Sequence, residues 1–184
     1  AQAVLSGLAP DGGLYMPRAI PAFDWQHCLA LSAQQMSAAI LSALLPDIPN
    51  MDALVKRAYT GKFETEDLTP TVPVGDFQVL ELFRGPTSAF KDVALSMLPQ
   101  LLTAAKQKKG IAQEIRILTA TSGDTGKAAL VGFQDVPGVS ICVFYPFGGV
   151  SQVQRAQMVT QEGENVHVCA VEGNFDDAQT GVKN

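Results

Sequence analysis

The chain has 184 residues, of which 47% are hydrophobic and 17% charged, and its formal net charge at pH 7 is −5. This apolar fraction is that of an ordinary globular protein and excludes a wholly disordered chain. The mild acidity argues against a nucleic-acid binder, which usually carries a basic face, and no stretch approaches the roughly 20 apolar residues of a membrane span.

The cysteine content indicates the compartment. Cys28, Cys142 and Cys169 are odd in number and far apart in sequence. They form neither a disulfide framework nor a zinc pattern, which suits a reducing compartment. We therefore expect a cytoplasmic protein without a metal site. The first residues lack a basic n-region, which predicts no secretory signal. The last helical pattern has hardly begun at Asn184, so we expect a piece of a longer protein.

Residues 1–70 are predicted to form a mainly helical subdomain. It opens with turn chemistry at residues 10–13, where Pro-Asp-Gly-Gly supplies a fixed φ and freedom for positive φ. Apolar residues at helical spacing predict a helix over residues 32–45, which Pro46 ends. Asn50 is predicted to cap a second helix over residues 51–59. This subdomain carries no obvious chemistry.

Residues 71–184 show the pattern of an α/β domain. Two short strands are predicted as a hairpin around Gly75 and Asp76, followed by a helix over residues 89–109 that contains Pro99. Strand-like and helical runs then alternate with short connections, which is typical of a parallel sheet with flanking helices. The predicted strands cover residues 114–119, 139–145 and 166–171, and the predicted helices cover residues 126–133, 151–162 and 175 onward.

Ligands bind beyond the carboxyl ends of the strands in open parallel sheets, and three loops here qualify. In the first loop, Lys91 has apolar neighbours on both sides and lies in the first turn of a predicted helix. Apolar surroundings and the positive helix end both disfavour the ammonium form, which favours a nucleophilic lysine. The alternative is a surface lysine paired with Asp92 or Glu81, and local features alone favour that alternative.

The second loop, residues 119–126, joins a predicted strand to a predicted helix. Its glycines let the backbone approach a ligand, and the hydroxyls of Thr121, Ser122 and Thr125 can add hydrogen bonds. It is neither a Walker A loop nor a G-x-G-x-x-G loop. The equally favoured alternative is a plain helix cap by Ser122 or Asp124. Because a carboxylate repels a bare phosphate, Asp124 is expected to face a positive or protonated group.

The remaining candidates are weaker. In the third loop, residues 145–151, Ser151 is predicted to cap a helix, and a simple strand-to-helix turn is the favoured interpretation. His27 and His167 are isolated in sequence, and His167 is interpreted as a structural histidine. No Ser/His/Asp ordering and no metal-ligand spacing is visible.

Two of these loops resemble motifs of the threonine synthase family. Residues 81–92, with the sequence ELFRGPTSAFKD, are similar to the family's cofactor-lysine motif, and residues 121–126, with TSGDTG, are similar to its Ser-Gly-Asp-Thr-Gly loop. Residues 7–15 resemble the N-terminal signature of the family. Residues 161–168 and 171–177 resemble the stretch that follows the loop. The resemblance therefore spans essentially the whole chain, in the right order.

The resemblance implies the N-terminal part of a two-domain pyridoxal-phosphate enzyme with the tryptophan-synthase-β fold (fold type II). Such an enzyme converts O-phospho-L-homoserine and water into L-threonine and phosphate, and Lys91 would be its catalytic and Schiff-base lysine. The implied cofactor-binding residues are Lys91, Ser122, Gly123, Asp124, Thr125 and Gly126. The implied substrate-binding residues are Thr87, Ser88, Thr121, Ser122 and Asp124.

The chain also departs from the family pattern. The family commonly has a lysine after Tyr-Pro and a basic residue two positions further on, where this chain has Phe147 and Gly149. The family's second half supplies a glycine-rich cup for the cofactor phosphate and a polar partner for the pyridine nitrogen. We find no candidate for either, so this chain alone is expected to bind the cofactor weakly or not at all.

Two other functions stay open at this point. One is a serine/threonine dehydratase-like enzyme of the same fold, and the other is an inactive binding module that retains the fold. Asp124 and the context of residues 85–92 favour threonine synthase over the dehydratase.

Overall fold

The structure, a computed structural model, describes residues 1–183 and divides into two units. The first unit comprises Ala1–Glu81 and Met97–Ala112, and the second comprises Leu82–Ser96 and the stretch from Gln113 onward. These limits differ from the predicted division at residues 70 and 71. The reason is a long helix, α5 (Asp92–Lys108), whose first turn belongs to the second unit while the remainder belongs to the first.

The first unit is mainly helical, as predicted. Its principal pair is α3 (Ala33–Leu44) against α4 (Met51–Tyr59). Ser32 begins α3 with a capping box, because its hydroxyl accepts the Gln35 N–H and the Gln35 side chain accepts the Ser32 N–H. The other elements are α1 (Gln2–Ser6), α2 (Trp25–Cys28) and an antiparallel hairpin of β1 (Thr71–Val74) with β2 (Phe77–Leu80).

Asn50 is the N-cap residue of α4, as predicted, but the side-chain hydrogen bond expected of a cap is absent. Asn50 lies in the left-handed region with φ of 58°, and its side chain makes no capping hydrogen bond. Capping side chains need an extended backbone at that position, whereas asparagine tolerates the left-handed conformation that Asn50 adopts instead. Its carbonyl still accepts the N–H groups of Ala53 and Leu54.

The second unit confirms the predicted α/β fold. Its sheet has the order β3 (Ile115–Ala120), β4 (Val139–Pro146), β5 (Val166–Val171), with both strand pairs parallel. Three helices complete it: α6 (Asp124–Phe133), α7 (Gln152–Val159) and α8 (Phe175–Lys183). α6 packs on β4 and α7, and α8 packs on β3 and β4. The core side chains of the central strand are Val139, Ile141, Val143 and Tyr145.

The register of the sheet brings the ends of its strands to one edge. Ala120 pairs with Phe144, and Pro146 pairs with Val171. Two hydrogen bonds carry the pairing into the loops, because the Thr121 N–H donates to the Phe144 carbonyl and the Phe147 N–H donates to the Val171 carbonyl. The loops after β3 and β4 therefore start side by side.

Helix α5 starts three residues later than predicted. The segment before it forms tight turns, and Ser88 there has a positive φ of 59°. A left-handed residue cannot continue a right-handed helix, so helical geometry begins only at Asp92. Lys91 consequently precedes the helix instead of lying in its first turn. In the part of the chain that the structure describes, no helix is long and apolar enough to cross a bilayer.

Gly132 allows the backbone of α6 to pack closely against the start of α5. A Cβ at Gly132 would lie 2.2 Å from the Leu95 carbonyl oxygen and 2.9 Å from its carbon. Both are backbone atoms, which cannot swing away as a flexible side chain can. Glycine at this position therefore lets the two backbones approach and fixes the segment that carries Lys91 against α6.

Replacing Gly132 by alanine should destabilise the fold by about 1–3 kcal/mol, because the new methyl group overpacks a backbone contact. Gly181→Ala in α8 is the matched control, since a Cβ there meets nothing within 4 Å. That control should stabilise by about 0.5–1 kcal/mol, the usual gain of alanine over glycine in a helix. Urea unfolding of both variants measures the difference, and an equal effect of the two substitutions would contradict the close approach.

Candidate active site

A buried carboxylate shapes the turn that carries Lys91. Asp92 is 1% exposed, and its two oxygens accept the Thr87 N–H at 2.8 Å and the Thr87 hydroxyl at 2.6 Å. Gly85 lies directly against it, because a Cβ on Gly85 would come within 2.5 Å of the Asp92 side chain. The Asp92 carboxylate therefore stabilises the turn, and the Thr87 hydroxyl donates to this buried carboxylate. Ser88 is exposed at the tip of the turn.

The Lys91 side chain is half-buried and lies over an aromatic ring. Its amino nitrogen is 4.2 Å from the centroid of the Phe90 ring. Lys91 makes no ion pair in the part of the chain that the structure describes, so the pairing with Asp92 or Glu81 considered from the sequence is not what the structure has. The amine therefore lies over a ring face and is not held by a carboxylate of the described residues.

The loop before α6 is built on the hydroxyl of Thr121, which is 2% exposed. Its Oγ1 accepts the N–H groups of Gly123 and Gly126, both at 3.0 Å, and its own hydrogen goes to the Gly123 carbonyl at 3.1 Å. One side chain therefore satisfies two backbone donors at the helix start. The hydroxyl's hydrogen-bonding capacity is used within the loop.

The alternative in which Ser122 or Asp124 caps the helix is not what the structure has. The residue at the N-cap of α6 is Gly123, with φ of 150° and ψ of −103°, and neither Ser122 nor Asp124 caps the helix. An L side chain rarely adopts that backbone conformation, so glycine is required there. Ser122 is exposed, and Thr125 is half-buried in the first turn. The side chains of Ser122, Asp124 and Thr125 therefore do not cap α6.

Gln154 is the site residue that the sequence reasoning missed. The predicted cap at Ser151 is confirmed as a capping box, in which Gln154 Oε1 accepts the Ser151 N–H at 3.1 Å. The amide nitrogen of Gln154 donates to Asp124 Oδ1 at 2.9 Å. The pattern Ser-x-x-Gln at residues 151–154 predicts the first contact, whereas the second joins residues 30 positions apart and has no local signal.

The structure therefore brings together the loop after β3 and the start of α7. Thr121, Gly123, Asp124 and Gln154 form this group, and the Lys91 turn belongs to the same unit through the contact of Leu95 with Gly132. The two positions where the family commonly has basic residues are exposed, with Phe147 at 68% exposure. Neither adds positive charge to this edge of the sheet.

The thiols of the sheet lie outside this group. Cys142 donates to Cys169 Sγ at 3.7 Å, and both are free cysteines. Burial, with smaller contributions from Cys169, raises the pKa of the Cys142 thiol from its ordinary value of 9.0 to about 11. His167 is exposed on β5, and the described residues contain no group of three or more acidic, thiol or imidazole side chains that could hold a metal ion.

The chain is similar in sequence to known proteins. The family described as "threonine synthase N terminus" matches residues 1–59. A threonine synthase of Eremothecium gossypii is 39% identical over 201 residues, covering 99% of this chain and 39% of that protein. A threonine synthase of Pseudomonas aeruginosa is 39% identical over 187 residues, covering 98% of this chain and 39% of that protein.

A solved structure agrees with these sequence matches. The PLP-bound threonine synthase of Brucella melitensis is 40% identical with a TM-score of 0.89, covering 99% of this chain and 40% of that chain. The chain matches the N-terminal portion of threonine synthases. It spans about two fifths of the length of the threonine synthases it matches. The fold type expected from the resemblance is therefore confirmed by a close structural relative.

The Thr121 hydroxyl can be tested by an isosteric substitution. Thr121→Val should destabilise by about 1–3 kcal/mol, because the buried Gly123 N–H loses its acceptor and the Gly126 N–H keeps only the Gly123 carbonyl. Thr121→Ser keeps the hydroxyl and loses only a methyl group, so its cost should be about 1 kcal/mol or less. Thermal unfolding of the two variants compares them, and a valine variant as stable as the serine variant would contradict the assignment.

The pH dependence of Cys142 alkylation tests the sheet thiols. Since only the thiolate reacts, alkylation of Cys142 by iodoacetamide should rise with pH toward a midpoint near 11 in the folded chain. Cys169→Ala should move that midpoint down, because the thiol loses the neighbour that adds to its raised pKa. Peptide mass spectrometry follows the reaction, with the urea-unfolded chain as control. A folded-state midpoint at 9.0 contradicts the expected environment.

Proposed function

We propose that this chain is the part of a threonine synthase that carries the cofactor lysine. The complete enzyme would convert O-phospho-L-homoserine and water into L-threonine and phosphate with pyridoxal phosphate, in the cytoplasm. The observation that carries the proposal is the match of 99% of this chain, at 40% identity and a TM-score of 0.89, to a PLP-bound threonine synthase. The three free thiols support the location, because reducing compartments keep thiols unpaired.

The residues present fit pyridoxal phosphate. Lys91 offers an amine that no carboxylate of the described residues pairs with, which a covalent link to an aldehyde requires. Residues 122–126 surround the start of α6, where backbone N–H groups and the helix dipole favour an anionic partner. We propose that the cofactor-binding residues are Lys91, Ser122, Gly123, Asp124, Thr125 and Gly126. When bound, the cofactor supplies an electron sink for charge that develops on the substrate.

Lys91 is the proposed proton-transfer residue. Its amine, once free of the cofactor, removes the proton from the substrate Cα and then carries protons at Cβ and Cγ while phosphate leaves. The ring of Phe90 covers one side of this amine and limits the water around it. Arginine could not take this role, because a guanidinium stays protonated and forms no link to the cofactor.

The substrate-binding residues proposed are Thr87, Ser88, Thr121, Ser122 and Asp124. Their roles differ. Ser122 and Ser88 are exposed and can offer hydroxyl donors, whereas Thr121 and Thr87 act by shaping the loops because their hydroxyls are already bonded inward. Asp124 Oδ1 is bonded to Gln154, and its other oxygen can accept from a protonated group of the ligand.

The proposal predicts that sodium borohydride fixes pyridoxal phosphate onto Lys91 in the complete enzyme. Lys127→Ala is the matched control, because Lys127 lies in the same unit, bonds to Gln161, and burial lowers its pKa. Peptide mass spectrometry should find the label on Lys91 in the unaltered enzyme and in Lys127→Ala. The label should be absent in Lys91→Ala. Labelling spread evenly over surface lysines would count against a cofactor site.

A further inference from the structure

Gln154 makes two side-chain hydrogen bonds at the edge of the sheet. One lies at the start of its own helix, α7, and the other reaches the start of α6. Its oxygen accepts the Ser151 N–H at the start of α7, and its nitrogen donates to Asp124 at the start of α6. An amide side chain has one acceptor end and one donor end. Because Ser151 uses the acceptor end, the donor end is the one presented to Asp124.

The backbone of Gly123 is shaped to receive this amide. A Cβ on Gly123 would lie 2.2 Å from Gln154 Nε2, 2.5 Å from Cδ and 2.9 Å from Oε1. The Gln154 amide therefore occupies the space that any other residue at position 123 would fill. The positive φ of 150° at Gly123 aims that space at α7. The glycine, the amide and the carboxylate form one interlocking contact.

The chemistry of the contact is selective for a neutral amide. A carboxylate accepts hydrogen bonds and donates none when it is ionised, so Asp124 needs a donor opposite it. Glutamate at position 154 could still accept the Ser151 N–H, as the glutamate of a capping box does. It would, however, present an acceptor and a second negative charge to Asp124. The capping role and the Asp124 role of Gln154 can therefore be separated by a single substitution.

We propose that Gln154 is a positioning residue that holds the Asp124 carboxylate and the loop of residues 122–126 in their ligand-facing arrangement. It acts through Asp124 and does not itself contact the reacting atoms. The inference deepens the proposed function, and the ligand-facing role of Asp124 rests on that function. The link between α7 and the loop rests on the hydrogen bonds and on the fit at Gly123.

The test is a cycle of four chains studied without any cofactor: the unaltered chain, Q154E, D124N and the double variant D124N/Q154E. In the unaltered chain and in D124N, the Gln154 nitrogen faces an oxygen acceptor. In the double variant the direction reverses, because the amide nitrogen introduced at position 124 can donate to the carboxylate introduced at position 154. Only Q154E sets two acceptors against each other.

Hydrogen exchange of the amides of residues 123–126 is the measurement. Q154E should exchange these amides about tenfold faster than the unaltered chain, because a hydrogen bond to a charged group is replaced by repulsion. D124N and the double variant should exchange close to the unaltered rate. The amides of α7 serve as the internal control and should keep their rates in Q154E, since the capping box survives. If the α7 amides also exchange faster in Q154E, the exchange rates of D124N and of the double variant still decide the question, because the double variant restores a donor–acceptor pair in the reverse direction.

Two results would overturn the proposal. One is an unchanged exchange rate of the amides of residues 123–126 in Q154E, which would mean that Gln154 only caps α7. The other is a double variant as fast as Q154E, which would mean that no donor–acceptor pair links positions 124 and 154. Borohydride labelling of Lys91 in the complete enzyme separates this inference from the proposed function. An unlabelled Lys91 in the complete enzyme counts against the cofactor site, while the exchange rates still decide the role of Gln154.

Discussion

The hydroxyl of Thr121 is the contact on which the loop before α6 depends. It lies at the end of β3, where the paired strand reaches the edge of the sheet, and it accepts the Gly123 N–H and shares the Gly126 N–H with the Gly123 carbonyl. Without it, the Gly123 N–H would lose its acceptor in a buried position. The conformation of Gly123, and with it the placement of Asp124 against Gln154, follows from this arrangement.

Two buried polar side chains of the described residues shape loops. They are Asp92 and Thr121, which hold the turns that carry the proposed site residues. Burial of a polar group is costly unless it is hydrogen-bonded, and Asp92 and Thr121 make their bonds to neighbouring loop backbone or side chains. The unit thereby keeps two loops in fixed shapes while Lys91, Ser88 and Ser122 remain accessible to a ligand.

Two carboxylates of this unit accept hydrogen bonds from neutral groups of the chain itself. Asp92 is bonded to Thr87, and Asp124 is bonded to Gln154. In the proposed function, Lys91 and the N-terminus of α6 supply attraction for a phosphate-bearing ligand. Phe147 and Gly149 add none, which sets this chain apart from the common family pattern.

Much of the fold could be predicted from local signals. β5 has the limits that its β-branched run indicates, and Ser151 caps α7 because Ser-x-x-Gln is a local pattern. The start of α5 could not be predicted, because a positive φ at Ser88 leaves no trace in residue type. The residue type at the start of α6 could not decide between a helix cap by Ser122 or Asp124 and a ligand loop, since the hydroxyl that binds the helix start comes from Thr121, upstream of the usual capping position. The Asp124–Gln154 contact has no local signal because it is tertiary and joins two helices distant in sequence.

The site residues of the Lys91 turn and of the 122–126 loop were identified through family resemblance, and their roles toward a ligand stay predictions.

The central claim is that Lys91 performs the chemistry of a threonine synthase. The most direct measurement is the product analysis of the complete enzyme given O-phospho-L-homoserine, with and without Lys91→Ala. The complete enzyme should form L-threonine and phosphate in equal amounts. Lys91→Ala should reduce this turnover about 10²–10⁴-fold or more. Full turnover of Lys91→Ala, or 2-oxo acid formation from threonine in place of phosphate release, would contradict it.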